Sequence, residues 1–144
     1  MFQSIGFIGT GNMGSALARA ADKGAPQGAA LYLSNRSPAK AEALCRDLRH
    51  ACVSTNEEIA RTCDLIFLGV KPQMMAGLLE SIGPILAGRG DRFVVCSMAA
   101  GLTLDILEGM LGHSYPLIRI LPNTPAAIGQ GIAQFCVRGG TEEE

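Results

Sequence analysis

Gly9, Gly11 and Gly14 form a G-x-G-x-x-G turn with Thr10, Asn12 and Met13 between them, directly after the apolar run Ile5-Gly6-Phe7-Ile8. Each glycine has its own physical task. Gly9 permits a tight turn, Gly11 lets a ligand oxygen approach the backbone, and Gly14 lets the following helix pack closely on the strand. The first amides of that helix have no internal partners, and their aligned dipoles favour an anion at that end. A dinucleotide diphosphate is the ligand this arrangement suits, held through main-chain donors without a cation.

A second polar cluster, Ser34-Asn35-Arg36-Ser37, lies where NAD enzymes carry a carboxylate for the ribose 2′-hydroxyl, about twenty residues past the glycine turn. No acid stands here to repel a 2′-phosphate. Arg36 offers a planar donor fork, and Ser34, Asn35 and Ser37 offer neutral donors. This favours NADP(H), with NAD(H) bound more weakly. Three later segments follow apolar runs and belong to the same edge: Val70-Lys71-Pro72, Ser97-Met98-Ala99-Ala100-Gly101 and Pro122-Asn123-Thr124-Pro125. Lys71 can serve a ligand's charge or face solvent. Ala99, Ala100 and Gly101 leave room for a flat ring, and Asn123 sits on a proline-stiffened segment where its amide can meet a carboxamide or a substrate polar group.

The elements that must position these residues alternate along the chain. After the first strand and a helix carrying Met13, Leu17, Ala20 and Ala21 up to Gly24, a second strand covers Ala30 to Leu33. Ser37-Pro38 then reads as an N-cap with proline at the first helical position. A short strand at Ala51-Cys52-Val53 precedes Thr55 and Glu58, which stand at capping-box spacing. Leu65 to Val70 is continuously apolar, as a central strand covered on both faces should be. Met75, Leu78, Leu79 and Ile82 predict a helix bent or broken near Gly83-Pro84. Phe93 to Cys96, Thr103 to Leu111 and Leu117 to Leu121 add a strand, a helix and a strand. A last strand within Gly131 to Val137 is reached without room for a crossover helix and should pair antiparallel at the edge. The fold class is α/β: a doubly wound, Rossmann-type parallel sheet with an antiparallel edge strand near the carboxyl end. Residues 1–138 form the dinucleotide-binding domain. Residues 139–144, a threonine followed by acids, read as the start of a helix or linker cut short.

Composition narrows the function classes. Lys plus Arg number 12 against 13 Asp plus Glu, so no net field draws the chain to nucleic acid or an anionic membrane. No apolar run approaches the ~20 residues that span a bilayer, and no amino-terminal leader is visible, so a cytoplasmic protein is expected. The five cysteines show no C-x-x-C pair, and four lie in or beside apolar patterns, which predicts buried thiols. His50 and His113 are expected at the surface. No metal-ligand set and no convincing general acid or base emerges from the sequence, so no metal ligand and no catalytic residue is expected in it.

Taken in order, residues 5–14, Asn35-Arg36, Val70-Lys71-Pro72, Ala99-Ala100-Gly101 and Leu121-Pro122-Asn123-Thr124-Pro125 resemble pyrroline-5-carboxylate reductase over almost the whole chain. The resemblance implies the last step of proline synthesis, in which NAD(P)H reduces the C=N bond of 1-pyrroline-5-carboxylate. It also implies that residues 9–14 hold the diphosphate and that Asn35 and Arg36 face the adenosine ribose and its phosphate. Asn56, Val70, Lys71 and Pro72 would line the cofactor, with Ala99, Ala100 and Asn123 beside the nicotinamide. Leu121 replaces the family's usual methionine, a volume-conserving exchange. The family's helical domain, which dimerises and contacts the imino acid, has no counterpart in these 144 residues. The chain is therefore expected to bind NADP(H) but to turn over poorly alone, with homo-oligomerisation a property of the full-length family. A stand-alone NADP-binding module or regulatory relative is the alternative. Short β-hydroxyacid or F420-linked reductases share the glycine turn but lack the P-N-T-P segment.

Overall fold

The computed structural model describes residues 2–24, 28–99, 101–113 and 115–120, and the backbone of residues 121 and 134–138. Seven strands and five helices are present among them: β1 Ser4–Ile8, α1 Asn12–Gly24, β2 Ala30–Ser34, α2 Pro38–Asp47, β3 Ala51–Val53, α3 Asn56–Thr62, β4 Leu65–Leu68, α4 Pro72–Ala87, β5 Val94–Ser97, α5 Leu104–Leu111, β6 Leu117–Leu121 and β7 Gln134–Arg138. The strand order is β3-β2-β1-β4-β5-β6-β7. Strands β1 to β6 pair in parallel, and β7 runs antiparallel to β6. The continuously apolar β4 lies at the middle of this order.

Because successive side chains leave a strand on opposite faces, the sheet carries two apolar layers. Ile5 and Phe7 of β1 and Leu31 and Leu33 of β2 pack beneath α1 and α2 with Ala18, Ala41 and Leu44. On the other face Ile8, Ile66, Leu68 and Val95 meet Ile59, Met75, Leu79, Ile82 and Leu107 from α3, α4 and α5. Each fully buried Leu, Ile or Phe contributes about 1.5–3 kcal/mol. Register also matters. Phe7 and Phe67 stand opposite each other across β1 and β4, with their rings stacked at 4.8 Å. Gly6, between two buried strand residues, gives α3 its approach, since a Cβ there would strike Ile59.

Several expectations change in detail. The deeply buried face of α1 consists of Gly14, Ala16, Ala18 and Asp22, with Leu17 and Ala21 partly covered and Met13 half-exposed. The reason is the close approach of this helix, which leaves room only for small side chains. Helix α4 is not broken at Gly83-Pro84 but runs on to Ala87. Pro84 and Glu80 are exposed, so water can take the Glu80 carbonyl that proline leaves unpaired, while Ile82 and Leu86 hold the last turn in the core. Only half of the capping box forms. The Thr55 hydroxyl accepts from the Glu58 N–H at 3.1 Å, while the Glu58 carboxylate pairs with Arg61. Cys63 and Cys96 are buried as expected, but Cys52 is exposed because β3 is the sheet's edge. His50 and His113 are exposed.

Two buried charges hold the ends of elements. Asp22 accepts the N–H groups of Arg49 and His50, fixing the turn between α2 and β3 beneath α1. Arg89, with its side chain 4% exposed, donates to the carbonyls of Ala60 and Cys63 at the end of α3, and its ring-facing side lies 4.5 Å from the Phe93 centroid.

Candidate dinucleotide site

A parallel sheet brings every strand's carboxyl end to one edge, and here the ladder continues a step beyond the strands. Gly9 N–H donates to Ser34 O (2.8 Å), Ser54 N–H to Leu33 O (2.8 Å), Gly69 N–H to Ile8 O (2.7 Å) and Met98 N–H to Leu68 O (3.1 Å). The loops after β1, β2, β3, β4 and β5 are thereby aligned along one rim, the place where open α/β sheets bind ligands.

The glycine turn meets the demands read from its sequence. Gly9 has φ +92°, and a Cβ on it would lie 2.8 Å from Gly69 backbone atoms. A Cβ on Gly14 would overlap the Gly9 carbonyl oxygen. Both are fixed by the protein's own packing. Gly11 is different: its φ is not in the left-handed region, and a Cβ on it would meet nothing within 4 Å. Internal packing gives no reason for glycine at Gly11, whereas a ligand resting against the backbone does.

Thr10 sharpens this. Its side chain is buried, the residue being 4% exposed, and its Oγ1 has no hydrogen-bond partner. A buried hydroxyl without a partner costs about 1–3 kcal/mol, so a site that supplies an acceptor there recovers that cost. The loop is otherwise well held: Ser15 Oγ donates to Thr10 O (2.8 Å), and Ser15 N–H donates to Gly11 O (2.8 Å). Gly11, Asn12 and Met13 stand at the start of α1, with Gly11 and Asn12 exposed.

The second loop departs from expectation in two respects. The Asn35 carboxamide is engaged by the protein itself, accepting from Thr10 N–H (3.2 Å) and donating to Ser37 O (3.1 Å). Ser37 occupies the N-cap position of α2, but its hydroxyl makes no capping bond and is left for another partner. Arg36 is exposed, and among the described residues no ion pair engages its guanidinium. Ser34 is 7% exposed and donates to Asn56 Oδ1 at 2.5 Å, which ties the start of α3 to the end of β2.

Farther along the rim, Lys71 is exposed at the N-cap of α4 with Pro72 at the first helical position, and Val70 is half-buried against the core. Met98 and Ala99 face inward. Met98 Cε would lie 2.8 Å from a Cβ on Gly69, and Ala99 belongs to the apolar layer, so they offer a ligand backbone and side-chain edges only. Ser97, 1% exposed, accepts from Ala99 N–H at 3.2 Å and shapes that loop. The sequence places Ser97 in the segment after the Phe93 to Cys96 strand, but gives no sign of Ser15 at the site. A serine in the first turn after a glycine loop is the signal that could have found Ser15. Ala100 and Asn123 lie outside the described residues, as do residues 139–144.

The rim holds bare amides, hydroxyls and exposed cations, but among the described residues no thiol poised for chemistry. Burial pushes the Cys96 thiol up to about 12 and the Cys63 thiol to about 11. A phosphate-bearing dinucleotide fits this donor set, because Gly11 offers open backbone, Thr10 an unpaired hydroxyl and Arg36 a charge.

Residues 4–101 match the family described as NADP oxidoreductase coenzyme F420-dependent. The chain belongs to that family. The matched segment includes all of the loops just described from β1 to β5. Over 92% of its length the chain is 39% identical to pyrroline-5-carboxylate reductase of Escherichia coli, of which it covers 48%. Among solved structures it is similar to the Plasmodium falciparum pyrroline carboxylate reductase with NADP bound. That match has a TM-score of 0.78 and 30% identity, covering 96% of this chain and 49% of that one. It is also similar to a pyrroline-5-carboxylate reductase from Coxiella burnetii, with a TM-score of 0.82 and 26% identity, covering 96% and 51%. The chain thus spans about half the length of the relatives it matches.

Proposed function

We propose that this family member is the NADP(H)-binding part of a pyrroline-5-carboxylate reductase. The observation that carries the proposal is the glycine turn, where Gly9 and Gly14 are fixed by packing, Gly11 is left open, and the buried Thr10 hydroxyl lacks a partner. The likeness to reductases of that name, one of them solved with NADP, supports the choice of dinucleotide and reaction.

When bound, NADPH supplies a hydride for the C=N carbon of the imino acid, and a proton reaches its nitrogen. The chain's own residues bind and orient. Gly11, Asn12 and Met13 present main-chain donors to the diphosphate. Arg36 and the Ser37 hydroxyl meet the 2′-phosphate, Lys71 and Asn56 flank the ribose side, and the backbone at Met98 and Ala99 gives the nicotinamide a close-fitting wall. Asn123 and Ala100 belong to this reading as further nicotinamide contacts. No described residue is assigned as the acid for the imine nitrogen. A small imino acid as partner, a homo-oligomeric whole protein indifferent to nucleic acid, and a cytoplasmic setting complete it. Among the described residues no helix is long and apolar enough to cross a membrane.

Calorimetric titration of the chain with NADPH and NADH tests the proposal, with Arg36→Ala in parallel. NADPH should bind more tightly, and the variant should lose roughly tenfold or more toward NADPH alone, the worth of one charge-assisted hydrogen bond. Equal affinities for both nucleotides would remove the 2′-phosphate assignment, and no binding of either would remove the proposal.

A further inference from the structure

The two loops that would hold the diphosphate and the 2′-phosphate are joined by one side chain. Strands β1 and β2 part after the bond from Gly9 N–H to Ser34 O. One residue farther on, the Asn35 carboxamide takes the place of the next ladder partner, its Oδ1 accepting from Thr10 N–H at 3.2 Å. Its other end donates to Ser37 O at 3.1 Å, the same carbonyl that receives Lys40 N–H in the first turn of α2. The glycine turn and the start of α2 are therefore held in fixed relation by a single planar group, with Arg36 lying between Asn35 and Ser37 in the chain.

We infer that Asn35 is a positioning and specificity-determining residue: its carboxamide clamps the diphosphate loop to the 2′-phosphate loop, and its neutrality keeps the second loop open to a phosphate. Two chemical facts support this assignment. Both ends of the amide are engaged within the protein, which gives it a role that passes through Thr10 and Ser37. A neutral carboxamide accepts at Thr10 N–H and donates to Ser37 O at once, which an ionised carboxylate of the same size does not. A carboxylate keeps the first bond, loses the second, faces the Ser37 carbonyl with like polarity, and brings to this loop the acid that serves a ribose 2′-hydroxyl in NAD sites. The inference rests on the dinucleotide assignment above, and the experiment separates the two.

Asn35→Ala, Asn35→Asp and Arg36→Ala are titrated with NADPH and NADH beside the parent chain. Asn35→Ala should weaken both nucleotides, NADH by about tenfold, because the loop they share is loosened. Arg36→Ala should weaken NADPH only. Arg36→Ala should also cost less in the Asn35→Ala background than in the parent, because the guanidinium is then no longer held in place. Asn35→Asp, which retains the Thr10 bond and keeps the test alive should the alanine variant fail to fold, should hold NADH within about threefold while losing NADPH by about a hundredfold. NADH affinity unchanged in Asn35→Ala would make Asn35 a direct 2′-phosphate ligand and overturn the clamp. Unaltered NADPH preference in Asn35→Asp would overturn the specificity role. A parent chain that binds neither nucleotide would remove the dinucleotide assignment itself, and the inference with it.

Discussion

Replacing Gly11 with alanine separates a ligand's demand for glycine from the fold's. Gly11 has no left-handed φ, and an added Cβ meets no atom within 4 Å, so the folded chain accepts the methyl without strain. The unfolded chain loses backbone freedom on the same exchange, which stabilises the protein by about 0.4–1 kcal/mol. For a domain of this size that raises the melting temperature by about 1–4 °C. Binding should move the opposite way. A methyl on the open side of the turn occupies the volume through which a phosphate oxygen would reach the amides at the start of α1. Losing one charge-assisted bond costs about 1.5–3 kcal/mol, a 10- to 150-fold weaker dissociation constant, and losing two costs the square of that. Differential scanning calorimetry and isothermal titration with NADPH on the same sample read both effects. A folded Gly11→Ala chain that binds NADPH as tightly as the parent would refute the cradle. A chain destabilised by more than about 1 kcal/mol would refute the claim that packing leaves Gly11 free.

Gly14→Ala should behave in the reverse order, because its Cβ falls on the Gly9 carbonyl oxygen; backbone must shift, and a loss of about 1–3 kcal/mol in urea unfolding is expected even without nucleotide. Arg89→Ala removes the donors to the Ala60 and Cys63 carbonyls and should cost about 2–4 kcal/mol. Arg89→Lys should restore only part of this, since one ammonium cannot reproduce the fork that also grips Asp91. Alkaline stability should fall as the buried thiols ionise. Their folded values, raised from 9.0 to about 11 for Cys63 and about 12 for Cys96, mean that unfolded thiols lose protons first. The stabilisation is complete below pH 9 and is lost as pH rises through 11 to 12. Urea midpoints at pH 8 and pH 10.5 should show the decline, and a Cys63→Ala, Cys96→Ala chain should show a smaller one.

The order of elements was legible because parallel strands buried on both faces must be continuously apolar and their crossover helices must be amphipathic. Leu65 to Leu68 and the Met75, Leu78, Leu79, Ile82 series announce themselves by composition and period. The glycine turn was legible because glycine types report backbone requirements directly. Partner choice was hidden. Asn35 and Ser37 both read as polar groups at a ligand edge, yet one is consumed by Thr10 and the Ser37 carbonyl, while the other leaves its hydroxyl uncommitted. Which of two neighbouring polar side chains turns inward depends on where β1 and β2 diverge, a property of twist and register rather than of either residue. Arg89 was hidden for the same reason. Its acceptors belong to a helix some 26 to 29 positions earlier, and nothing local distinguishes it from a solvated cation.

Groups that the protein satisfies internally set the positions of the loops; groups that it leaves unsatisfied define what can enter. Asn35, Ser97 and Ser15 belong to the first kind, each bonded to a neighbouring loop or turn. Gly11, the Thr10 hydroxyl, the Ser37 hydroxyl and Arg36 belong to the second. The unsatisfied set follows the end of β1 across to the end of β2, the path that a diphosphate and an adenosine 2′-phosphate must share. Affinity should therefore be lost by altering either kind, but discrimination between NADPH and NADH should respond chiefly to the second kind and to Asn35, whose neutral carboxamide borders it.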